Sequence, residues 1–241
     1  MKKILITNDD GIEAPGIVAL AAAMGRFAET VVVAPAVAMS GCSHRVTTDR
    51  PLRIEERSPG WYAVDGTPAD CVRLGISALA PTADWIVSGI NDGANLGVDL
   101  QMSGTVAATR EAVWHGRRAV AFSHYRGPGS SVHWDRAVHA AEMLFELAVQ
   151  QLPAEPAFWN VNFPDPLTID PLPSVTICSV DASPLPLAFQ QSEGCLRYVG
   201  DYHCRPRQNG TDVDVCLGGG ISVSCIGARG EILTEPANES T

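Results

Sequence analysis

Asn8-Asp9-Asp10-Gly11 puts two carboxylates side by side directly after a short apolar run, residues 3–8. An Asx turn with a helix cap would account for one aspartate and leave the second without a reason. The other reading is a hard-cation site, because Mg²⁺, Mn²⁺ and Ca²⁺ prefer carboxylate and other oxygen ligands. Three further segments carry matching chemistry. The loop Pro35–His44 contains Ser40, whose hydroxyl could complete an oxygen shell, although alone it reads as an ordinary polar turn. Ser88-Gly-Ile-Asn91-Asp-Gly-Ala-Asn95-Leu-Gly97 concentrates glycines and side-chain amides. Glycine lets a ligand approach the backbone, and an amide carbonyl is a ligand for a hard cation. Asn-Asp-Gly is also a turn sequence, but a turn requires neither Asn95 nor Gly97. Ser103-Gly104-Thr105 precedes a predicted helix, where free N–H groups and the helix dipole favour an anion; plain capping by Ser or Thr is the alternative.

These loops need elements that bring them together. Residues 3–8 read as a strand, Pro15 opens an Ala-rich helix over 16–25, and Thr30–Pro35 reads as a buried parallel strand. Between 36 and 65, strand-like pieces at 45–48, 52–55 and 61–64 suggest a loop with a small antiparallel insertion. Thr67-Pro68-Ala69-Asp70 has the form of an N-cap, a proline at N1 and a first-turn carboxylate, opening a helix to about Leu79. Strands at 85–90, 119–123 and 158–163 alternate with helices at 105–114 and 133–149. The alternation predicts an α/β fold: a Rossmann-like, doubly wound, mostly parallel sheet in a three-layer αβα sandwich over residues 1–165. From Pro164 onward prolines multiply, and residues 166–241 are expected to form a smaller extended region packed on the sheet or on another subunit.

In such sheets ligands gather at the carboxyl ends of strands. There the loops after strands 3–8, 30–35 and 85–90 would set two carboxylates, a hydroxyl and an amide around a cation, with an anion cradle alongside. That is equipment for metal-assisted hydrolysis of a phosphate ester.

Bulk properties narrow the field. A hydrophobic share of 46% and a charged share of 18% belong to a chain that folds. A net charge of −10 without a basic tract argues against extended nucleic acid as a partner. Seven scattered cysteines form neither a zinc pattern nor a disulfide framework, and no segment is a signal-peptide core or a membrane span, so a cytoplasmic location is expected. The turn Asn8–Gly11 lacks G-x-G-x-x-G, which weakens a dinucleotide-dependent oxidoreductase.

Taken in order, Ile6-Thr-Asn-Asp-Asp-Gly11, Ala34-Pro35 with Ser40-Gly41, Gly66-Thr-Pro-Ala-Asp-Cys71, Ser88-Gly-Ile-Asn91 with Asn95-Leu-Gly97, and Ser103-Gly-Thr105 resemble the survival protein SurE family of metal-dependent 5′/3′-nucleotidases. Weaker echoes fall at Asn160-Val-Asn162 and Gly210-Thr-Asp212. The resemblance implies one divalent cation per subunit (Mg²⁺ or Mn²⁺, with Ca²⁺ able to replace it in crystals) on Asp9, Asp10, Ser40 and Asn91, with Asp9 and Asp10 catalytic. It implies a phosphate site at Asn95, Ser103, Gly104 and Thr105, nucleoside monophosphates as substrates with short polyphosphate besides, and a homodimer or homotetramer joined through the C-terminal region. Gly220 and Cys225 depart from the family's aromatic and proline in a terminal strand. The expected reaction is direct attack of an activated water. Its rivals are an aspartyl-phosphate on Asp9 and a non-catalytic, metal-dependent nucleotide-binding protein. His44 is a candidate for proton transfer, Asp70 reads as a helix-start residue, and His115 and His124 have no partner legible in sequence.

Overall fold

The computed structural model describes residues 3–153 and 156–228. The first strand, β1 (Lys3–Thr7), alternates its burial between two faces: Ile4 and Ile6 enter one core, Leu5 the other. Helix α1 (Pro15–Met24) follows, with Pro15 at its first position as expected, and then β2 (Glu29–Pro35). The chain continues through β3 (Ile54–Ser58), β4 (Trp61–Val64), α2 (Pro68–Leu74), β5 (Trp85–Asp92), α3 (Gly104–Trp114), β6 (Arg118–His124), α4 (Trp134–Gln150) and β7 (Ala157–Phe163). Short elements complete it: β8 (Val175–Ile177), β9 (Phe189–Ser192), β10 (Cys195–Tyr198), α5 (Asp212–Leu217) and β11 (Ile221–Gly227).

Nine strands form one mostly parallel sheet in the order β3-β4-β2-β1-β5-β6-β7-β11-β8. Helices α1 and α4 cover the face of Ile4 and Ile6, and α2 and α3 cover that of Leu5, giving the expected three layers. The chain leaves β1 toward β2 on one side and later returns to pair β5 on the other. The carboxyl end of β1 is therefore the topological switch point, where the two connections diverge and leave a crevice.

Two sequence expectations are modified. The pieces at 45–48 and 52–55 are displaced: residues 45–48 are loop, and β3 begins at Ile54. The hairpin partner β4 is no isolated insertion, because it joins the main sheet parallel to β2. Beyond residue 165, β11 and β8 extend the same sheet, with β11 antiparallel to β7, so this part of the extended region completes the core. Cys225 is one of its buried β11 residues. Only the β9–β10 hairpin forms a separate two-stranded sheet among the described residues. Leu233 and the rest of 229–241 lie outside the described residues.

Candidate active site

The three loops meet as expected. Asp9 and Asp10 after β1, Ser40 and Gly41 after β2, and Asn91, Asp92, Asn95, Asp99, Met102 and Ser103 between β5 and α3 line one cavity of 210 Å³. Local sequence explains each position. The Asn8 side chain donates to the Gly11 carbonyl (2.8 Å), which closes the turn behind Asp9 and Asp10. The Met39 N–H donates to the Asp9 carbonyl (2.7 Å), bringing the Ser40 loop across the end of β1. Gly104 is required for close approach: a Cβ there would stand 2.8 Å from the Asp9 Cβ, so only glycine lets α3 start against that aspartate.

Burial makes the two carboxylates reluctant anions. Asp9 is pushed up to about 6, first by desolvation and further by Asp10, against the Thr105 hydroxyl, which donates to it at 2.5 Å. Asp10 is also raised, again chiefly by desolvation, although the Asp92 N–H donates to it at 3.0 Å. The four aspartates around the cavity divide into two kinds. Asp92 pairs with Arg126 (3.0 Å) and Asp99 with Arg205 (2.9 Å), whereas neither Asp9 nor Asp10 forms an ion pair with Lys, Arg or His among the described residues.

This donor set fits a hard divalent cation. Two desolvated, adjacent carboxylates without a cationic partner are what such an ion neutralises. The Asn91 amide nitrogen donates to the Gly93 carbonyl (2.8 Å), which leaves its carbonyl oxygen available to a cation, and the exposed Ser40 offers a hydroxyl. Among the described residues no three His, Cys, Asp or Glu side chains form a metal-holding group. A site with only two carboxylates fits a divalent cation that keeps several of its waters.

On the anion side the expected residues split. Asn95 lines the cavity and is built into a buried amide network: its side chain donates to Ser123, its N–H to Asn162, and Asn160 and Asn162 both donate to its carbonyl. Ser103 lines the cavity while capping α3 through the Val106 N–H (3.1 Å). Thr105 and Gly104 are buried and face Asp9, so they position the carboxylate and do not line the cavity. Gly97, expected to admit a ligand, has φ +58 and donates its N–H to Asp212. A Cβ there would also meet Arg205 at 2.8 Å and the Asp181 carbonyl at 3.0 Å, so backbone conformation and packing both call for glycine.

The histidines lie elsewhere. His44 bonds Glu111 at 2.7 Å and stacks on Trp114, turned to a neighbouring cluster with His115, which bonds the other Glu111 oxygen at 3.0 Å. Buried His124 donates to the Tyr125 carbonyl. Asp70 closes a capping box with Thr67 and accepts from Thr47, as a helix-start residue should. Sequence reasoning missed Asp92, Asp99, Arg126 and Arg205. Asp92 was concealed in a turn-like Asn-Asp-Gly, and the arginines join the site from 34 and 106 residues away. Asn160 and Asn162 did leave a signal, since alternation along β7 puts both on one face.

Known proteins resemble this chain in sequence and in fold. The survival protein SurE family model matches residues 4–183. A Synechocystis protein provisionally named a 5′-nucleotidase is 47% identical over 91% of this chain and 97% of its own. The 5′-nucleotidase SurE of Pelobacter propionicus is 48% identical over 67% of this chain, which spans 66% of that protein. The crystal structure of the SurE protein from Aquifex aeolicus superposes with a TM-score of 0.83 at 29% identity, covering 94% of this chain and 93% of that one. With the family model covering most of the chain and the same motifs gathered at the end of β1, this chain belongs to the survival protein SurE family.

Proposed function

We propose that the chain is a divalent-metal-dependent phosphomonoesterase that hydrolyses nucleoside monophosphates to nucleoside and phosphate, a 5′/3′-nucleotidase that also takes short polyphosphate. The observation that carries the reading is the single cavity where unpaired Asp9 and Asp10 meet Ser40, Asn91, Asn95 and Ser103. The relatives named 5′-nucleotidase support it. Asp9, Asp10, Ser40 and Asn91 would hold one Mg²⁺ or Mn²⁺ ion per subunit, which would supply Lewis acidity toward a phosphate oxygen and toward an attacking water. Thr105 and the start of α3 fix Asp9 in one orientation. Asn95, locked by Asn160, Asn162 and Ser123, and Ser103 offer polar contacts to the phosphate without needing to reorganise. Water attacks phosphorus directly, with no covalent enzyme intermediate.

The protein works in the cytoplasm as a homodimer or homotetramer, with residues 166–241 as its C-terminal extension. Exposed Leu187, Phe189 and Leu196 around the β9–β10 hairpin support a subunit contact there, since a lone two-stranded hairpin is marginal in water. No helix of the described residues is long and apolar enough to cross a membrane.

The test is phosphate release from a panel of nucleoside monophosphates by chelator-stripped protein with Mg²⁺ or Mn²⁺ restored. Turnover that returns with metal supports the reading. Folded protein that binds nucleotide and releases no phosphate would establish the binding-only alternative, and a trapped phospho-Asp9 would overturn direct attack.

A further inference from the structure

The two arginines paired with cavity-lining aspartates differ in freedom. Arg205 is fixed: its side chain is 0% exposed, pairs with Asp99, donates to the Leu96 carbonyl and lies over the Tyr202 ring. Arg126 is 52% exposed and, among the described residues, pairs with the cavity-lining carboxylate of Asp92 alone, at 3.0 Å. Asp92 is itself tied to the metal side of the cavity, because its backbone N–H donates to Asp10. The guanidinium of Arg126 is thus one ion pair from the cavity and two contacts from Asp10.

A phosphate dianion entering this cavity meets four aspartates, two of them intended for a cation. An exposed ion pair is weakly held, since solvent already screens it and the long side chain retains several rotamers. A guanidinium matches phosphate with two parallel N–H donors and gains more from a dianion than from a carboxylate.

We infer that Arg126 is a substrate-binding residue, which leaves Asp92 for the phosphate group of the incoming substrate, so that Asp92 competes with substrate for the same guanidinium. The inference rests on the nucleotidase reading for its substrate and on the Asp92–Arg126 geometry for its mechanism. Arg126 sets affinity, while the Asp9–Asp10 site sets the rate of the chemical step.

The experiment compares wild type, Arg126→Gln, Arg126→Lys and Asp92→Asn as full-length, Mg²⁺-loaded protein. KM and kcat are measured on a nucleoside monophosphate, and inorganic phosphate binding by calorimetry. Arg126→Gln should raise KM and weaken phosphate binding about five- to tenfold, with a smaller change in kcat, and lysine should restore part of the loss. Asp92→Asn should tighten phosphate about threefold, because it releases the arginine and removes a negative charge. A purely structural ion pair would give both variants the same loss. Equal weakening in Arg126→Gln and Asp92→Asn, or no change in Arg126→Gln, would overturn the inference. Absence of turnover in wild type would instead count against the nucleotidase reading, and the phosphate titrations would still decide the role of Arg126.

Discussion

Two pairs of aspartates stand on this fold, all buried except the half-buried Asp10, and their surroundings differ. At the C-terminal side, Asp212 accepts from the N–H groups of Gly97, Asp181 and Val213, at 2.8, 2.8 and 2.9 Å. Asp181 accepts from the N–H groups of Ser183 and Gln208 and from the Thr211 hydroxyl. Five of those six bonds tie the segment 181–213 together, and the sixth, from the Gly97 N–H, fastens it to the loop that carries Asn95 and Asp99. At the end of β1, Asp9 has the Thr105 hydroxyl as its close donor, with help from the amides of Thr105 and of Asp9 itself, and Asp10 has the Asp92 N–H. A saturated carboxylate pair is a structural joint, whereas an undersatisfied one stores affinity for a cation. Asp181 is accordingly held below the usual carboxylate range, its hydrogen bonds outweighing its burial, while Asp9 is pushed up to about 6. Asp212 is raised because its desolvation is larger than its three bonds offset.

The contrast can be broken by substitution. Asp9→Asn, which keeps the shape and removes the charge, should reduce metal-dependent phosphate release about 10³-fold or more while circular dichroism shows folded protein. Retained turnover would remove Asp9 from the metal site. Asp212→Ala should act on stability instead: stranding three backbone donors costs roughly 3 kcal/mol, read as a lower urea midpoint. If Asp212→Ala left the midpoint in place, the structural joint would be elsewhere.

The pH dependence sharpens the same distinction. In chelator, Asp9 has a folded-state value near 6 against an ordinary 3.8, so its stabilising contribution is complete below 3.8 and disappears as pH rises through 6. Wild type should therefore lose on the order of 2–3 kcal/mol relative to Asp9→Asn between pH 4 and 8, measured by urea unfolding, and Mg²⁺ should reverse the loss. A flat difference would show that Asp9 is not destabilised by its burial. Thr105→Val, the smallest change, removes the hydroxyl that orients Asp9. It should weaken Mg²⁺ binding about 10–100-fold by calorimetry with the fold intact.

The alternation of β-branched runs with helical stretches up to Phe163 was legible in sequence because each element answers to its own period and punctuation: Pro15 at N1, Thr67 with Asp70, and Ser103 as a cap. The same periodicity placed Asp9, Asp10, Ser40, Asn91, Asn95 and Ser103 at strand ends on one edge, and these six do line one cavity. Beyond residue 165 the signals weakened, because short strands such as Val175–Ile177 carry too few residues for a period, and only their partners reveal them.

What the sequence indicated by itself was the kind of groups on offer, oxygen-bearing side chains at strand ends and at a helix start, and the parallel sheet that presents them. Tertiary structure alone decided which residues share each task. It turned Thr105 from the cavity onto Asp9, gave Gly97 to packing against Arg205, and paired Asp92 and Asp99 with arginines distant in the chain. Local propensity depends on neighbours along the chain, but a carboxylate's partner depends on what folding brings within about 3 Å of it, and no sequence period encodes that distance.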